Sequence, residues 1–307
     1  MSLDFTETHV RETAVLSPAK INLYLRIAGK RPDGYHELET LMLPLDFGDT
    51  MTFESRPAGI ELVCDDPRLP VDDSNLVVRA AKLLVERKSV ERGVKITLQK
   101  RIPLAAGLGG GSGNAATALA GLNDLWTLHA SHSTLHEVAA KLGSDINFFL
   151  AGGAAICRGR GEIVEPLPCK FSAAILLVNP GFGISTKWAY ESWAGSERAE
   201  PAARLTAKPP EVSLLARALA EDDLAGVCQS LYNSLEAPSV GKFPVLQLLK
   251  DAMMAGGAAG ALMSGSGATV FGLFADATVA QNCALHIRQE FGPSMWTTVT
   301  RFRQVAR

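Results

Sequence analysis

Hydrophobic and polar positions alternate most clearly near the start of the chain. Residues 14–27 read AVLSPAKINLYLRI, with Ile21, Leu23, Leu25 and Ile27 interleaved with Lys20, Asn22, Tyr24 and Arg26. That period of two predicts a strand with one apolar and one polar face, and it points Lys20 and Asn22 the same way. Pro32-Asp33-Gly34 predicts a turn, followed directly by Tyr35-His36. Leu76, Val77, Ala80, Leu83 and Leu84 recur at helical spacing behind Ser74, a candidate cap. Val94, Ile96 and Leu98 alternate with Lys95, Thr97 and Gln99 and predict a second strand. Ala115, Leu119, Leu122 and Trp126 form one helix face, so this region reads as strand, glycine loop, helix. Thr134 and Glu137 have the spacing of a capping box for a helix closed by Gly143. Ser144-Asp145 starts a short apolar segment, and residues 154–156 and 163–164 suit short strands.

The organisation restarts near residues 166–171. FSAAILLV at 171–178 is a buried-strand run, and 195–213, rich in alanine, proline and charge, reads as a long surface connection. Helical patterns follow around 213–220, 223–232 and 243–255. ALMSGSGATVFGLF reads as strand, glycine turn, strand; a helix at 278–290 and a strand at 296–302 close the chain. Strands and helices mix without a regular βαβ alternation, which predicts an α+β fold.

Composition narrows the function classes. The 307 residues suit one large domain or two ordinary ones. With 47% hydrophobic residues, 20% charged residues and a net charge of −2, the chain has no global field to recruit nucleic acid or an anionic membrane. Cysteines at 64, 157, 169, 228 and 283 are odd in number and include no Cys-x-x-Cys, so they read as idle thiols in a reducing compartment. Asp4, Glu7 and Glu12 argue against a signal or transit peptide. Two uncharged runs, 102–123 and 253–275, are long enough to span a bilayer. Each holds six glycines clustered with serines, which predicts a buried turn joining two elements instead.

The run 107–113 carries five glycines in seven positions and feeds a helix. Such a turn exposes N–H groups at a helix N-terminus and lets phosphate oxygens approach the backbone. It does not end in Gly-Lys-Ser or Gly-Lys-Thr like a Walker loop. A dinucleotide fingerprint started at Gly107 places Ser112 where its last glycine belongs. The cation must come from elsewhere, and Lys20 is the candidate. Asp145 is a candidate general base, against the plainer reading of an N-cap. His129, His132 and His136 are spaced like metal ligands, but the capping box at Thr134 predicts a break between them.

Four segments together resemble the GHMP kinase superfamily: SPAKINLYLRIAGKRPDGYHEL (17–38), PLAAGLGGGSGNAATAL (103–119), LGSDINFFLAGGAAICRGRGE (142–162) and LMSGSGATVFGLF (262–274). The glycine loop alone indicates the superfamily. PAKINL with DGYHEL narrows the resemblance to the branch acting on a cytidine diphosphate-linked methylerythritol, apart from mevalonate, homoserine and galactose kinases. The resemblance implies a two-domain α+β fold with the active site in the inter-domain cleft: residues 1–168 as an ATP-binding domain and 169–307 as a C-terminal GHMP domain. It implies transfer of a phosphoryl group from ATP, with Mg2+, to the 2-hydroxyl of that alcohol. This is a step of non-mevalonate isoprenoid synthesis, in the cytoplasm of a bacterium or in a plastid.

The catalytic pair of this family falls on Lys20 and Asp145. Its phosphate-binding loop falls on Pro103, Leu104, Ala105, Ala106, Gly107, Leu108, Gly109, Gly110, Gly111, Ser112 and Gly113. Asn75, Lys100 and Asn114 match the surroundings of the adenine. Asn22, Tyr35, His36 and Thr186 match substrate positions, with Tyr35 and His36 on the cytosine. Gly265, Ser266 and Gly267 match the glycine turn of the second domain. The implied partner is a small molecule, with no nucleic acid or membrane; metal ligands and oligomeric state are not implied. A GHMP kinase for another alcohol, or a nucleotide-binding module without catalysis, remain the alternatives. Gly113, Asn147 and Ser234 depart from the family pattern, where Ser, Pro and Asp are usual.

Overall fold

The computed structural model describes residues 14–199 and 209–304. The expectation drawn from Asp4 to Glu12, and residues 200–208 of the expected surface connection, lie outside the described residues.

The first half opens with a long hairpin, β1 (Val15–Lys30) and β2 (His36–Arg56), turning at Pro32-Asp33-Gly34. There follow β3 (Ile60–Cys64), α1 (Leu76–Lys88), β4 (Gly93–Gln99), α2 (Gly110–Leu125), α3 (His132–Ala140), α4 (Ser144–Ala151), β5 (Ala155–Gly159) and β6 (Ile163–Pro166). The second half contains β7 (Ala174–Asn179), α5 (Thr186–Ala199), α6 (Val212–Glu221), α7 (Leu224–Gln229), β8 (Tyr232–Asn233), α8 (Glu236–Lys242), α9 (Val245–Ala255), β9 (Gly260–Met263), β10 (Val270–Phe274), α10 (Ala277–Phe291) and β11 (Trp296–Thr300). One sheet runs β3-β4-β2-β1-β8, with β5 pairing to β2 and β6; the other runs β11-β7-β10-β9. The second half thus returns a strand to the first sheet, with Tyr24 opposite Tyr232 and Leu25 opposite Asn233. The mixture is α+β, as the irregular element order predicts.

The halves share a core. Ile21 and Leu23 of β1, Leu43 of β2, Ile175 and Leu177 of β7 and Phe271 of β10 belong to one buried cluster. The alternate β7 residues Leu176 and Val178 pack with Leu249 of α9 and Ile287 of α10. A strand buried on both faces reads as the continuous apolar run seen in its sequence. Fully burying one such leucine stabilises the fold by about 1.5–3 kcal/mol. Two-sided burial of β7 therefore holds the halves together. A third cluster joins α1 and α2 to β4 through Ala80, Leu84, Ala115, Leu119, Leu122 and Ile96.

Several expectations are corrected. The polar side of β1 is solvated only toward its end, at Arg26 and Lys30: Lys20, Asn22 and Tyr24 are as buried as Ile21 and Leu23, because the glycine loop and the second half cover their side. The α1 cap is Asn75, whose side chain accepts from the Val77 N–H, while the Ser74 hydroxyl donates to Asp72. α3 starts at His132 under a Ser131 cap, so no capping box forms at Thr134; Glu137 faces Arg87 instead. His132 and His136 therefore share one helix, with rings 6.5 Å apart, while His129 lies outside it. Among the described residues no group of three or more His, Cys, Asp or Glu could hold a metal ion. The C-cap of α3 is Lys141; Gly143 donates its N–H to the Ala139 carbonyl in the last turn of α3 at 3.2 Å and also caps the start of α4.

The long β2, the short β3 and β8, and helices α5 and α8 are absent from the sequence reading. In β2, Pro44 and Gly48 interrupt the apolar pattern and hide a 21-residue strand. α5 runs to Ala199, into the expected surface connection. Residues 102–123 and 253–275 each join two elements across a glycine turn, and no helix among the described residues is long and apolar enough to cross a membrane. All five cysteines are free thiols.

Candidate functional site

A cleft of about 980 Å³ is lined by β1, the β1–β2 turn, the glycine loop, α4, α5 and the β9–β10 turn. At its centre Lys20 reaches Asp145, with Nζ 3.8 Å from Oδ2. The two residues are 125 positions apart in sequence (145 minus 20), so only the fold joins them. Asp145 is the second residue of α4, behind the Gly143 cap, so its carboxylate is not spent as an N-cap and stays 39% exposed to the cleft. Lys20 is buried. Its ammonium donates to Asn22 Oδ1 at 2.6 Å and to the Gly107 carbonyl at 3.1 Å. Burial pulls the Lys20 pKa down; the Asp145 charge is the largest opposing influence. Asn22 is itself oriented by donating to Thr40 Oγ1 at 2.8 Å.

The glycine loop lies along this pair. The Lys20 N–H donates to the Leu108 carbonyl at 2.9 Å, which ties β1 to the loop. Gly107 has φ 77°, and a Cβ there would sit 2.1 Å from the Ser264 carbonyl oxygen. Gly109 has φ 71°, and its missing side chain leaves room for the Lys20 stem. α2 starts at Gly110, so the N–H groups of its first turn have no partner within the helix and face the cleft with its positive dipole end. Pro103, Leu104, Ala105, Ala106, Leu108, Gly110, Gly111 and Ser112 also line the cleft. Gly113 does not: it packs on β1, and a Cβ would meet the Pro18 carbonyl oxygen at 2.8 Å.

The second glycine turn meets the first. Ser264 Oγ donates to the Gly107 carbonyl at 3.0 Å. Gly265 and Ser266 line the cleft, and Ser266 Oγ lies 3.2 Å from Thr186 Oγ1. Gly267 turns away, its N–H donating to the Ser264 carbonyl. Asn233 steadies this turn by donating to the carbonyls of Met263 and Gly265, both at 2.8 Å. Ser234, where aspartate is usual, accepts from the Ile27 N–H at 3.1 Å. Asn147, where proline is usual, is buried and donates to the Glu162 carbonyl, leaving its Oδ1 without a partner.

Asn75, Lys100 and Asn114 line one end of the cleft. The Asn75 amide is committed to its cap and to the Pro70 carbonyl. Lys100 pairs with Asp49, a fully buried carboxylate that sequence reasoning missed. Tyr35 and His36 line the other end. Tyr35 is 57% exposed, with the Arg160 guanidinium 4.8 Å from its ring centre. His36 stacks on Tyr190 at 5.3 Å and meets Trp193 edge-on at 5.6 Å. Burial lowers the His36 pKa and, with Lys30 nearby, favours the neutral ring. Tyr190, Trp193 and Arg160 were also missed. Thr186, Tyr190 and Trp193 stand at i, i+4 and i+7, a helical signal legible once 186–199 is read as a helix.

Similarity to known proteins identifies the family. Residues 75–153 match the GHMP kinases N terminal domain, and residues 215–293 match the GHMP kinases C terminal domain. The 4-diphosphocytidyl-2-C-methyl-D-erythritol kinase of Pelotomaculum thermopropionicum is 44% identical over 89% of this chain and 93% of its own. The enzyme of that name from Synechococcus sp. (strain JA-3-3Ab) is 43% identical over 85% of this chain and 84% of its own. A crystal structure of 4-(cytidine 5'-diphospho)-2C-methyl-D-erythritol kinase superposes with TM-score 0.78 at 34% identity, over 95% of this chain and 100% of that one. Homoserine kinase from Cytophaga hutchinsonii shares the fold, with TM-score 0.72 at 20% identity. With this identity across most of both partners, the chain belongs to the 4-diphosphocytidyl-2-C-methyl-D-erythritol kinases of the GHMP kinase family.

Proposed function

We propose that this chain transfers the γ-phosphoryl group of ATP to the 2-hydroxyl of 4-diphosphocytidyl-2-C-methyl-D-erythritol, with Asp145 as the general base beside Lys20. The observation that carries the reading is the 3.8 Å approach of Lys20 to Asp145 beside the glycine loop. The hydroxyl oxygen attacks the γ-phosphorus, its proton passes to Asp145, and the bond from phosphorus to the β-phosphate oxygen breaks, releasing ADP. Phosphoryl transfer asks the protein mainly for positioning and charge compensation. The first-turn N–H groups of α2 hold the phosphates, and Lys20 supplies the cation that a Walker loop carries within itself. Asn22 and Gly107 O aim that ammonium.

The aromatic group of Tyr35, His36 and Tyr190 receives the cytosine, by stacking and by a hydrogen bond from a neutral imidazole. Asn75, Lys100 and Asn114 sit around the adenine. Magnesium bound with the nucleotide would supply charge neutralisation at the phosphates. Magnesium usually keeps most of its waters and takes only one or two protein oxygens; Ser112, which lines the cleft in the first turn of α2, would offer one. The division into residues 1–168 and 169–307 belongs to the same proposal; it falls between the end of β6 and the start of β7, which lie in different sheets.

The test is ADP release with ATP and a panel of alcohols: the cytidyl compound, mevalonate and homoserine. ADP is expected with the cytidyl compound alone. Release with mevalonate or homoserine instead would move the substrate assignment elsewhere. ATP binding without ADP under any condition would leave a nucleotide-binding module.

A further inference from the structure

Asp49 lies on β2, opposite Ser17 of β1 in the strand register. Its side chain is fully buried, yet both oxygens are saturated. Oδ1 accepts from the N–H groups of Arg101 and Ile102 at 2.7 and 2.9 Å. Oδ2 accepts from Asn114 Nδ2 at 2.9 Å and pairs with the Lys100 ammonium. A carboxylate can be kept in a protein interior only with such partners.

The identity of those partners gives the group its meaning. Lys100 and Asn114 line the same end of the cleft. Arg101 and Ile102 are the two residues through which β4 runs into the glycine loop. Asn114 spends both amide hydrogens, on Asp49 and on Ser17 Oγ, and accepts from Lys100 at 3.4 Å. Lys100 Nζ lies 3.3 Å from where a Cβ of Gly110 would stand, directly beneath the first residue of α2. Two of its ammonium hydrogens go to Asp49 and Asn114. No described residue accepts the third.

We propose that Asp49 is a positioning residue for the nucleotide, one buried carboxylate that sets the pose of Lys100, Asn114 and the backbone leading into the glycine loop. This rests on the kinase reading only in taking the bound anion to be ATP. A carboxylate kept only for stability has no reason to gather donors from one end of the cleft, since apolar packing of equal volume serves stability as well or better. Asp49→Asn keeps the shape and one acceptor, but it turns an amide NH2 toward either the ammonium or the backbone N–H groups.

The test compares wild type, Asp49→Asn, Lys100→Met and the double variant. The dissociation constant for ATP is read by equilibrium dialysis, with melting temperature and both KM values alongside. Asp49→Asn is expected to weaken ATP by about tenfold or more and to leave the KM of the alcohol within about twofold. The double variant is expected to bind ATP no more weakly than the weaker single, because both changes break one linked group. Should Asp49→Asn alone fail to fold, the double variant, which removes both buried charges together, takes its place. ATP binding by a folded Asp49→Asn or double variant within about twofold of wild type overturns the proposal, as does equal loss of affinity for ATP and alcohol. Wild type that binds ATP without phosphorylating the cytidyl compound would sink the kinase reading and leave the Asp49 test standing.

Discussion

The two ends of the cleft present a ligand with different kinds of surface. At the glycine loop the surface is backbone: α2 offers its first-turn N–H groups, and Gly107 and Gly109 both adopt positive φ and stand where a side chain would strike Ser264, or Phe149 and Lys20. At the other end it is side chain: Tyr35 and His36 from the β1–β2 hairpin and Tyr190 from α5, with the buried Trp193 edge-on to the His36 ring. Backbone recognition suits an anion common to many reactions. Side-chain recognition is what distinguishes one alcohol from another. Homoserine kinase from Cytophaga hutchinsonii shares the fold at 20% identity.

Three substitutions can break or sharpen that contrast. Asp145 stands between the ends and should matter to neither affinity: Asp145→Asn is expected to lower kcat by ~10²–10⁴ while ATP still binds. Rapid-quench turnover with a parallel ATP titration checks this, and near-normal turnover removes Asp145 from the mechanism. Tyr35→Ala should separate the ends, raising the KM for the cytidyl substrate about tenfold with little change for ATP, since stacking on a base is worth ~1–3 kcal/mol. Equal change in both KM values would contradict the division of labour.

The smallest effect is on stability. Burial holds the Lys20 pKa below its ordinary 10.5. In the window just beneath that value the unfolded chain binds more protons than the folded one, so this group's contribution to stability rises as pH climbs through the window. Lys20→Met should flatten the pH dependence of urea unfolding there. An unchanged slope would mean that burial of this ammonium carries no such linkage.

The phosphate end was legible in the sequence because it is local. Five glycines, a following helix face and a preceding alternating strand all fall within about thirty residues of chain, and local pattern suffices to read them. The nucleoside end was half legible. Tyr35-His36 stands beside a clear turn, but Tyr190 and Trp193 sit on a helix whose pattern was lost among alanines, glycine and charge. Asn75 was assigned to the nucleotide and Ser74 to the cap, and the cap fell to Asn75, one residue on, because its amide oxygen reaches the Val77 N–H. Residue chemistry made Lys20 and Asp145 separate candidates, and only the resemblance to the family paired them; spacing alone had no means to join them.

By itself the sequence determined the fold class, the glycine turn that feeds α2 and the family, since each is written in contiguous stretches of residue type and period. Only the tertiary structure decided that the polar side of β1 is buried, that Lys20 meets Asp145, and that Asp49 gathers Lys100, Asn114 and the loop backbone. Those are contacts between segments far apart in the chain. Burial and charge pairing depend on what the other half of the molecule covers, and local periodicity carries no information about that.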